Sequence, residues 1–452
     1  MGSLFRDFLE AAKRSEKEIL IGKSGSTPEG KYEKIRSGQS YLYKKYGMES
    51  EVIEIRLKKK VTGSFLNEAL RTAMKRYPYF NTKLIEKDGD FYIVQNEQSL
   101  IAKRTKELAR LGHISCGYHL IDITYYDCSV YVSFHHALCD GRGVLPFVET
   151  LIYYYCGLAY GRKPCPEGVR LAEESLLPGE TADPFQKEYS FNQDKEFISL
   201  SRDAYAIPEN VAAEEVTNYR YEVKISGDQY MKVCKESHAT PAILLALLMS
   251  KGIAELYPDY DKPIHANLAA DIRDALNVPN TFKNCVMSMA LPYDREFAKK
   301  SLSEQAEEYR HILKAQRDRD YCRKQANAMI GLSDRLDSLE SYEEKQKIMG
   351  FFEGMMLNTY IISYLGKFKL GENAQYVEDI HLYNSGTIGL GINMIACGEE
   401  FVLDFKQNFP PDKYVRAFCS ELEKMGIGYS VSDRIPFITP GDSIIKREKQ
   451  EK

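Results

Sequence analysis

The chain of 452 residues contains no tryptophan, and other features that would assign a function directly are missing as well. Its longest apolar run, PAILLALLM, is too short to cross a bilayer, since a spanning helix needs about 20 residues. The net charge of −4 leaves no basic footprint for nucleic acid. The ten cysteines show no CxxC spacing, so the usual zinc and dithiol motifs are excluded.

The first residues, MGSLFRDFLEAAKRSEKEIL, are charged and amphipathic and do not resemble a secretory signal. A large chain without such a signal is expected to keep its cysteines reduced. We therefore expect a cytoplasmic protein with no membrane span. Gly386, Gly389 and Gly391 do not form a GxGxxG spacing, so the sequence does not predict a dinucleotide site.

What is present is a paired histidine with an aspartate shortly after it. Residues 128–134 alternate between apolar and polar side chains, which predicts a half-buried strand. The stretch GVLPFVETLIYYYCGL predicts a helix, so HHALCDG, residues 135–141, lies on a strand-to-helix connection. Such connections expose side chains to clefts in α/β folds. An imidazole there, with a reference pKa of about 6.5, can act as a general base near neutral pH.

Three other interpretations compete with the base. A histidine that ends a strand is often an ordinary core or surface residue. A metal site could be built from His135, His136, Cys139 and Asp140, although adjacent residues on a strand point to opposite faces. A His-Asp dyad of the hydrolase type needs a nucleophile, and the chain has no Gly-x-Ser-x-Gly elbow.

The heptapeptide resembles the HHxxxDG motif of the CoA-dependent acyltransferase superfamily. That superfamily includes chloramphenicol acetyltransferase, nonribosomal peptide synthetase condensation domains, alcohol acetyltransferases and the plant BAHD enzymes. Residues 66–84, the Asp88-Gly89 turn and FYIV resemble its N-terminal helix, bend and hairpin. The plant Asp-Phe-Gly-Trp-Gly element cannot be present without tryptophan. Residues 404–406 (DFK) are the nearest fragment and read as a strand, so we do not expect the plant acceptor classes.

The resemblance implies an α/β (α+β) fold of two chloramphenicol-acetyltransferase-like lobes. Each lobe would be a mixed β-sheet flanked by helices, with an active-site tunnel between the two. We expect residues 1–185 to form the N-terminal lobe with the motif, and residues 186–452 to form the C-terminal lobe. A segment rich in Pro, Glu and Gly, about 161–197, predicts an extended connector.

The resemblance also implies roles for single residues. His136 would be the general base, while His135 would face away from the reaction. Asp140 would form a structural ion pair with Arg273, from a segment (Asp271-Ile272-Arg273, with Asn284 downstream) that resembles the second lobe of the family; an ordinary surface cation is the alternative. Gly141 would leave room for a pantetheine arm. Ser363 is a candidate oxyanion donor, or a plain strand hydroxyl.

The function implied is transfer of an acyl group from a thioester to a hydroxyl or amine, without a covalent acyl-enzyme or a metal. No cofactor would be bound permanently, and acyl-CoA would be the co-substrate. One alternative is a condensation-type enzyme that takes its acyl group from a phosphopantetheinyl carrier protein. Another is a non-catalytic two-lobed binding module. The absence of a fused carrier region favours acyl-CoA, and with two lobes in one chain a monomer suffices.

Overall fold

The computed structural model describes residues 33–43, 50–87, 90–161, 166, 168–199, 203–210, 218–355, 358–384 and 389–437. Its helices are α1 (Gly63–Arg76), α2 (Gly141–Tyr160), α3 (Gly227–Glu236), α4 (Pro241–Leu256), α5 (Arg273–Leu276), α6 (Leu302–Gln316), α7 (Arg319–Asp337), α8 (Tyr342–Met355) and α9 (Lys413–Lys424). Its strands are β1 (Glu33–Lys34), β2 (Ser50–Leu57), β3 (Thr82–Lys87), β4 (Asp90–Gln95), β5 (Lys103–Arg104), β6 (Ile121–Tyr126), β7 (Ser129–His135), β8 (Asn218–Ser226), β9 (Ile264–Asp271), β10 (Val286–Tyr293), β11 (Tyr360–Lys367), β12 (Val377–Asn384), β13 (Leu390–Cys397), β14 (Glu400–Gln407), β15 (Tyr429–Val431) and β16 (Ile435–Phe437). The predicted Asp88-Gly89 turn and Gly386 lie outside the described residues.

The strand predicted before the paired histidine is β7, the middle strand of a five-stranded sheet in the order β12-β2-β7-β6-β5. The sheet is mixed, because β5 runs parallel to β6 and the other pairs are antiparallel. The alternation is as expected: Val130, Val132 and Phe134 are buried in one core with α1 and α2. This core supports the strand-to-helix connection that carries the motif. A small sheet, β1-β4-β3, belongs to the same half of the chain.

The second lobe is built on an eight-stranded mixed sheet, with β10-β9-β11-β13-β14-β8-β15 in line and β16 also paired to β8. β11 runs parallel to both of its neighbours, β9 and β13. The order Thr240-Pro241 predicts the start of a helix, because Thr is a preferred N-cap and Pro fits the first helical turn. Helix α4 begins there, and the Thr240 hydroxyl accepts a hydrogen bond from the Ile243 amide at 3.3 Å. The apolar run of α4 is buried against this sheet.

Within the described residues, no single helix is long and apolar enough to cross a membrane. Only α3 and α4 taken together, bent by 88° at the break between them, satisfy that criterion of length and composition.

The two lobes interleave through β12. This strand comes late in the chain, yet it pairs antiparallel with β2 and so completes the sheet of the first lobe. The division of the chain at residue 185 stays a prediction. β12 comes after residue 185 in the sequence, whereas the other four strands of its sheet come before it. The mixed sheets flanked by helices, in two lobes, confirm the predicted fold class. The segment 404–406 lies in β14, a strand of the second lobe as expected.

Candidate active site

His135 is a structural residue at the end of β7. Its Nδ1 accepts a hydrogen bond from the Ala137 amide at 2.9 Å, and its carbonyl accepts from the Leu138 amide at 2.9 Å. These bonds shape the turn that follows the strand. Burial, together with the neighbouring His136, lowers the pKa of His135 to about 3. The ring is therefore neutral and engaged with the backbone.

His136 lies in that turn and reaches a cavity. Its Nδ1 is buried, and its Nε2 lies 3.9 Å from Oε1 of Glu51. The ring packs against Tyr41, with 4.5 Å between the centroids. Its carbonyl accepts from the side-chain amide of Asn284 at 3.2 Å, which ties the turn to the second half of the chain. Gly38 also approaches this carbonyl so closely that an added Cβ would lie 2.0 Å from the oxygen.

Asp140 joins the two lobes. As the N-cap of α2, its Oδ1 accepts from the Gly143 amide at 2.7 Å. The same oxygen accepts from Arg273 Nη2 at 2.8 Å, and Oδ2 accepts from the Cys285 amide at 2.8 Å. These bonds direct the carboxylate to the lobe junction rather than to an imidazole, unlike the geometry of a hydrolase dyad.

Arg273 is buried at that junction and is not a solvated surface cation. Besides Asp140, its guanidinium donates to Asp271 and to the carbonyls of Thr281 and Lys283 at 2.7 to 3.0 Å. The N–H groups of the planar guanidinium are thus bonded to acceptors on several sides. Burial alone would lower the pKa of Arg273, but Asp140 and Asp271 hold it above its usual range.

Gly141 of the first lobe and Ser363 of the second both line one cavity. Gly141 is the first residue of α2, and a Cβ added there would lie 2.6 Å from Cδ2 of Leu365. Ser363 lies on β11, half-buried, beside Ala269 and Asn393 of the neighbouring strands. The space next to Gly141 is therefore narrow and bordered by the same strand that carries Ser363.

The cavity that these residues share has a volume of about 630 Å³ and takes its walls from both lobes. Of the predicted site residues, His136, Asp140, Gly141 and Ser363 line it. His135 and Arg273 do not line it: His135 bonds to the turn after β7, and Arg273 bonds to Asp140. The volume is in the range of pockets that hold small organic molecules.

A buried polar network on the cavity wall was not predicted. Glu51 on β2 accepts from the Asn384 amide at 3.1 Å, and Lys406 on β14 donates to the Asn384 oxygen and, at 3.1 Å, to Asn393. All four residues line the cavity together with His136. Glu51 and Lys406 are 6% and 2% exposed, although they carry opposite ionisable groups. In the sequence they read as polar positions of alternating strands, and only the lobe junction makes them neighbours.

Basic side chains form a separate part of the cavity wall. Arg310 and Lys314 lie one turn apart on α6, and Arg317 follows at its C-terminal end. Arg142 lies on α2, 3.5 Å from Asp271. All four are exposed and line the cavity, so they can meet an anionic ligand that enters it.

The residue types of the motif do not converge as metal ligands. Within the described part of the chain, the one group with suitable spacing is Glu222, His381 and Asp404, which lies elsewhere. A cationic side chain already pairs with this group, since Arg220 donates to Glu222 at 2.8 Å. Burial raises the pKa of the Cys139 thiol well above its usual range, so this group stays protonated.

No protein-family model matches the chain, and no curated protein matches it either. Solved structures do. Polyketide synthase associated protein 5 from Mycobacterium tuberculosis is 15% identical with a TM-score of 0.57, covering 86% of this chain and 97% of that one. F. sporotrichioides TRI101, complexed with coenzyme A and T-2, is 11% identical with a TM-score of 0.56, covering 88% and 99%. A mutant starter condensation domain of rhizomide synthetase RzmA, in complex with C8-CoA, is 11% identical with a TM-score of 0.54, covering 87% and 94%.

The chain shares the two-lobed fold of these structures, as the resemblance to the acyltransferase superfamily implies. These structural neighbours match the chain along nearly their whole length. The likeness therefore extends over both lobes.

Proposed function

We propose that this protein is an acyltransferase that moves an acyl group from acyl-CoA to a hydroxyl or amine acceptor, with His136 as general base. The observation that carries the proposal is the setting of His136. Its Nδ1 is buried while its Nε2 is directed toward Glu51 in a cavity lined by both lobes. Two substrates that enter such a cavity can meet at the imidazole.

In this mechanism, Nε2 of His136 removes the proton of the acceptor while the acceptor attacks the thioester carbonyl. The tetrahedral intermediate then expels the thiolate, and the imidazolium returns the proton to sulfur. No side chain is acylated. A general base contributes about 10²- to 10⁴-fold to the rate, and the positioning of two bound reactants contributes the larger part. We propose that the Ser363 hydroxyl donates a hydrogen bond to the oxyanion of this intermediate, because Ser363 lines the same cavity from the opposite lobe.

The basic side chains support free acyl-CoA as the donor. Coenzyme A carries a phosphate and a pyrophosphate, and guanidinium and ammonium groups bind these by charge-assisted hydrogen bonds. Four exposed cationic side chains line the cavity: Arg142, Arg310, Lys314 and Arg317. TRI101 is a neighbour complexed with coenzyme A itself. Small-molecule acceptors would enter the same cavity.

The donor is tested by presenting one acyl group on coenzyme A and on a holo carrier protein at equal concentration, with pooled alcohols and amines as acceptors. Product masses and free thiol are measured. We expect transfer from acyl-CoA, inhibition by desulfo-coenzyme A, and weaker activity as salt is added. Transfer from the carrier alone would favour the condensation-type enzyme, and ligand binding without product would favour the binding module.

A double variant, Lys314→Ala with Arg317→Ala, sharpens this test. It should raise the KM for acyl-CoA about threefold to tenfold with little change in kcat, because it removes exposed phosphate contacts. Lys232→Ala is the matched control, since this lysine is exposed on α3 outside the cavity wall. An equal effect of both changes would remove the assignment of the phosphate site.

A further inference from the structure

Glu51 and His136 bring a carboxylate oxygen and an imidazole nitrogen to the same part of the cavity. Oε1 of Glu51 lies 3.9 Å from Nε2 of His136, and the two side chains are 8% and 11% exposed. Glu51 is on β2, where it lies opposite Phe134 of β7. The sheet that carries the motif therefore also fixes the carboxylate, although Glu51 is no part of the motif.

The Asn384 amide fixes the orientation of the carboxylate. Lys406 has only N–H groups to offer, so it must face the Asn384 oxygen, and the Asn384 nitrogen is left to donate to Glu51 at 3.1 Å. Glu51 is thereby held as an acceptor. Burial raises the pKa of Glu51, while burial lowers that of Lys406; the attraction between the two opposes both shifts and favours the charged pair.

Resting on the acyl transfer proposed above, we propose that Glu51 selects a primary amine as the acyl acceptor. A single atom placed about 2.9 Å from each can hydrogen-bond to both Glu51 and His136. A neutral primary amine has two N–H groups, so it donates one to each and keeps its lone pair for the thioester carbonyl. A hydroxyl has one hydrogen and satisfies only one of the two, which leaves the other acceptor desolvated.

The chemical step then balances in atoms and electrons. The amine nitrogen forms the C–N bond, and the N–H directed at His136 passes its proton to Nε2. The C–S bond breaks, and the same proton goes from the imidazolium to the departing sulfur. The second N–H remains on the product as the amide hydrogen, still bonded to Glu51. The products are an amide and free coenzyme A, and no further reactant is required.

The test uses the full chain with one acyl-CoA and a panel of primary amines, each paired with the alcohol of the same carbon skeleton. Product masses give kcat/KM for both members of each pair. We expect the wild type to acylate amines in preference to the matched alcohols. Glu51→Met removes the acceptor at similar volume, and should lower kcat/KM for amines about tenfold or more while alcohols change little.

Glu149→Met is the matched control, because Glu149 is a buried carboxylate on α2 that accepts from the Lys369 amide at 2.8 Å and lies outside the cavity wall. It should leave the ratio of amine to alcohol unchanged. A wild type that acylates alcohols but not amines would overturn the inference and leave acyl transfer intact. A Glu51→Met protein that folds and keeps the wild-type ratio would overturn it as well. A wild type that acylates neither class contradicts the proposed function itself.

Discussion

At the scale of single residues, two adjacent histidines have opposite tasks because their surroundings differ. His135 is committed to the turn, where its Nδ1 accepts from Ala137 and its pKa is lowered to about 3 by burial. His136 points into the cavity with Nε2 toward Glu51. The sequence resemblance already favours the second histidine. The structure adds that the first imidazole is fully engaged in shaping the backbone.

The Asp140–Arg273 pair gives the prediction at this scale. Asp140→Asn and Arg273→Ala should each lower the free energy of unfolding by about 3 to 5 kcal/mol, because each leaves a buried partner uncompensated. In a double-mutant cycle we expect a coupling of about 0.5 to 3 kcal/mol. Chemical denaturation of the four proteins measures it.

The exposed pair Lys232–Glu236, 4.0 Å apart, is the control for that cycle. Its coupling should stay below about 0.5 kcal/mol. Strictly additive losses at Asp140 and Arg273 would show that the ion pair does not hold the lobes together.

At the scale of elements, β12 is the strand that joins the lobes. His381 on this strand is fully buried and its Nδ1 lies 3.0 Å from Asp404 of β14 in the second lobe. Its Nε2 lies 3.3 Å from Asp379 and 3.5 Å from Glu222. Burial alone would lower the pKa of His381, but these carboxylates outweigh burial and raise it to about 9. The imidazolium is therefore part of the interface between the sheets.

This ion cluster predicts a pH dependence of stability. The folded-state pKa of His381 lies above its unfolded value of about 6.5, so the stabilisation is complete below pH 6.5 and is lost as the pH rises through about 9. We expect the difference in unfolding free energy between the wild type and His381→Gln to shrink over this range, by about 3 kcal/mol. Denaturant titrations at a series of pH values give the difference.

His265→Gln is the control, since burial lowers the pKa of His265. Above pH 6.5 this imidazole is mostly neutral in both the folded and the unfolded protein. Its stability difference should stay constant over the same range. A constant difference for His381 as well would mean that the imidazole is not charged in the folded protein.

The sequence predicts the elements that carry local signals. The alternation before the motif predicts β7, and the Thr240-Pro241 pair predicts the start of α4. β12 has no such signal, because Glu378, Asp379 and His381 make it read as a polar loop. Two of these three side chains are buried, and ion pairs that reach into the other lobe help to stabilise them there.

The site divides in the same way. The resemblance of the motif predicts His136 and Asp140, and the resemblance of the segment 271–273 predicts Arg273 as the partner of Asp140. Glu51 and Lys406 are ordinary residues in their own strands, and their role depends on contacts between residues more than 300 positions apart, such as Asn384 with Glu51. Periodicity reports which face of a strand is buried and says nothing about what that face meets across a lobe boundary.

At the scale of the whole molecule, both halves of the chain contribute to the cavity. The first half supplies His136 and Glu51 to its wall, and the second half supplies Ser363 and Lys406, while Arg273 holds Asp140 from outside the lining. The lobe junction fixes both the base and the groups around it, because Asp140 and Asn284 bond across it. The function proposed here therefore depends on how the lobes are held together as much as on the motif.

The most direct measurement is the turnover of His136→Ala with acyl-CoA and the amine panel, followed by free thiol and product mass. We predict a loss of about 10²- to 10⁴-fold in kcat, with a thermal unfolding midpoint close to that of the wild type, because the base acts only in the reaction. His113→Ala, at a half-buried histidine outside the cavity, should keep full turnover. A His136→Ala protein that retained most of its turnover would show that His136 is not the general base.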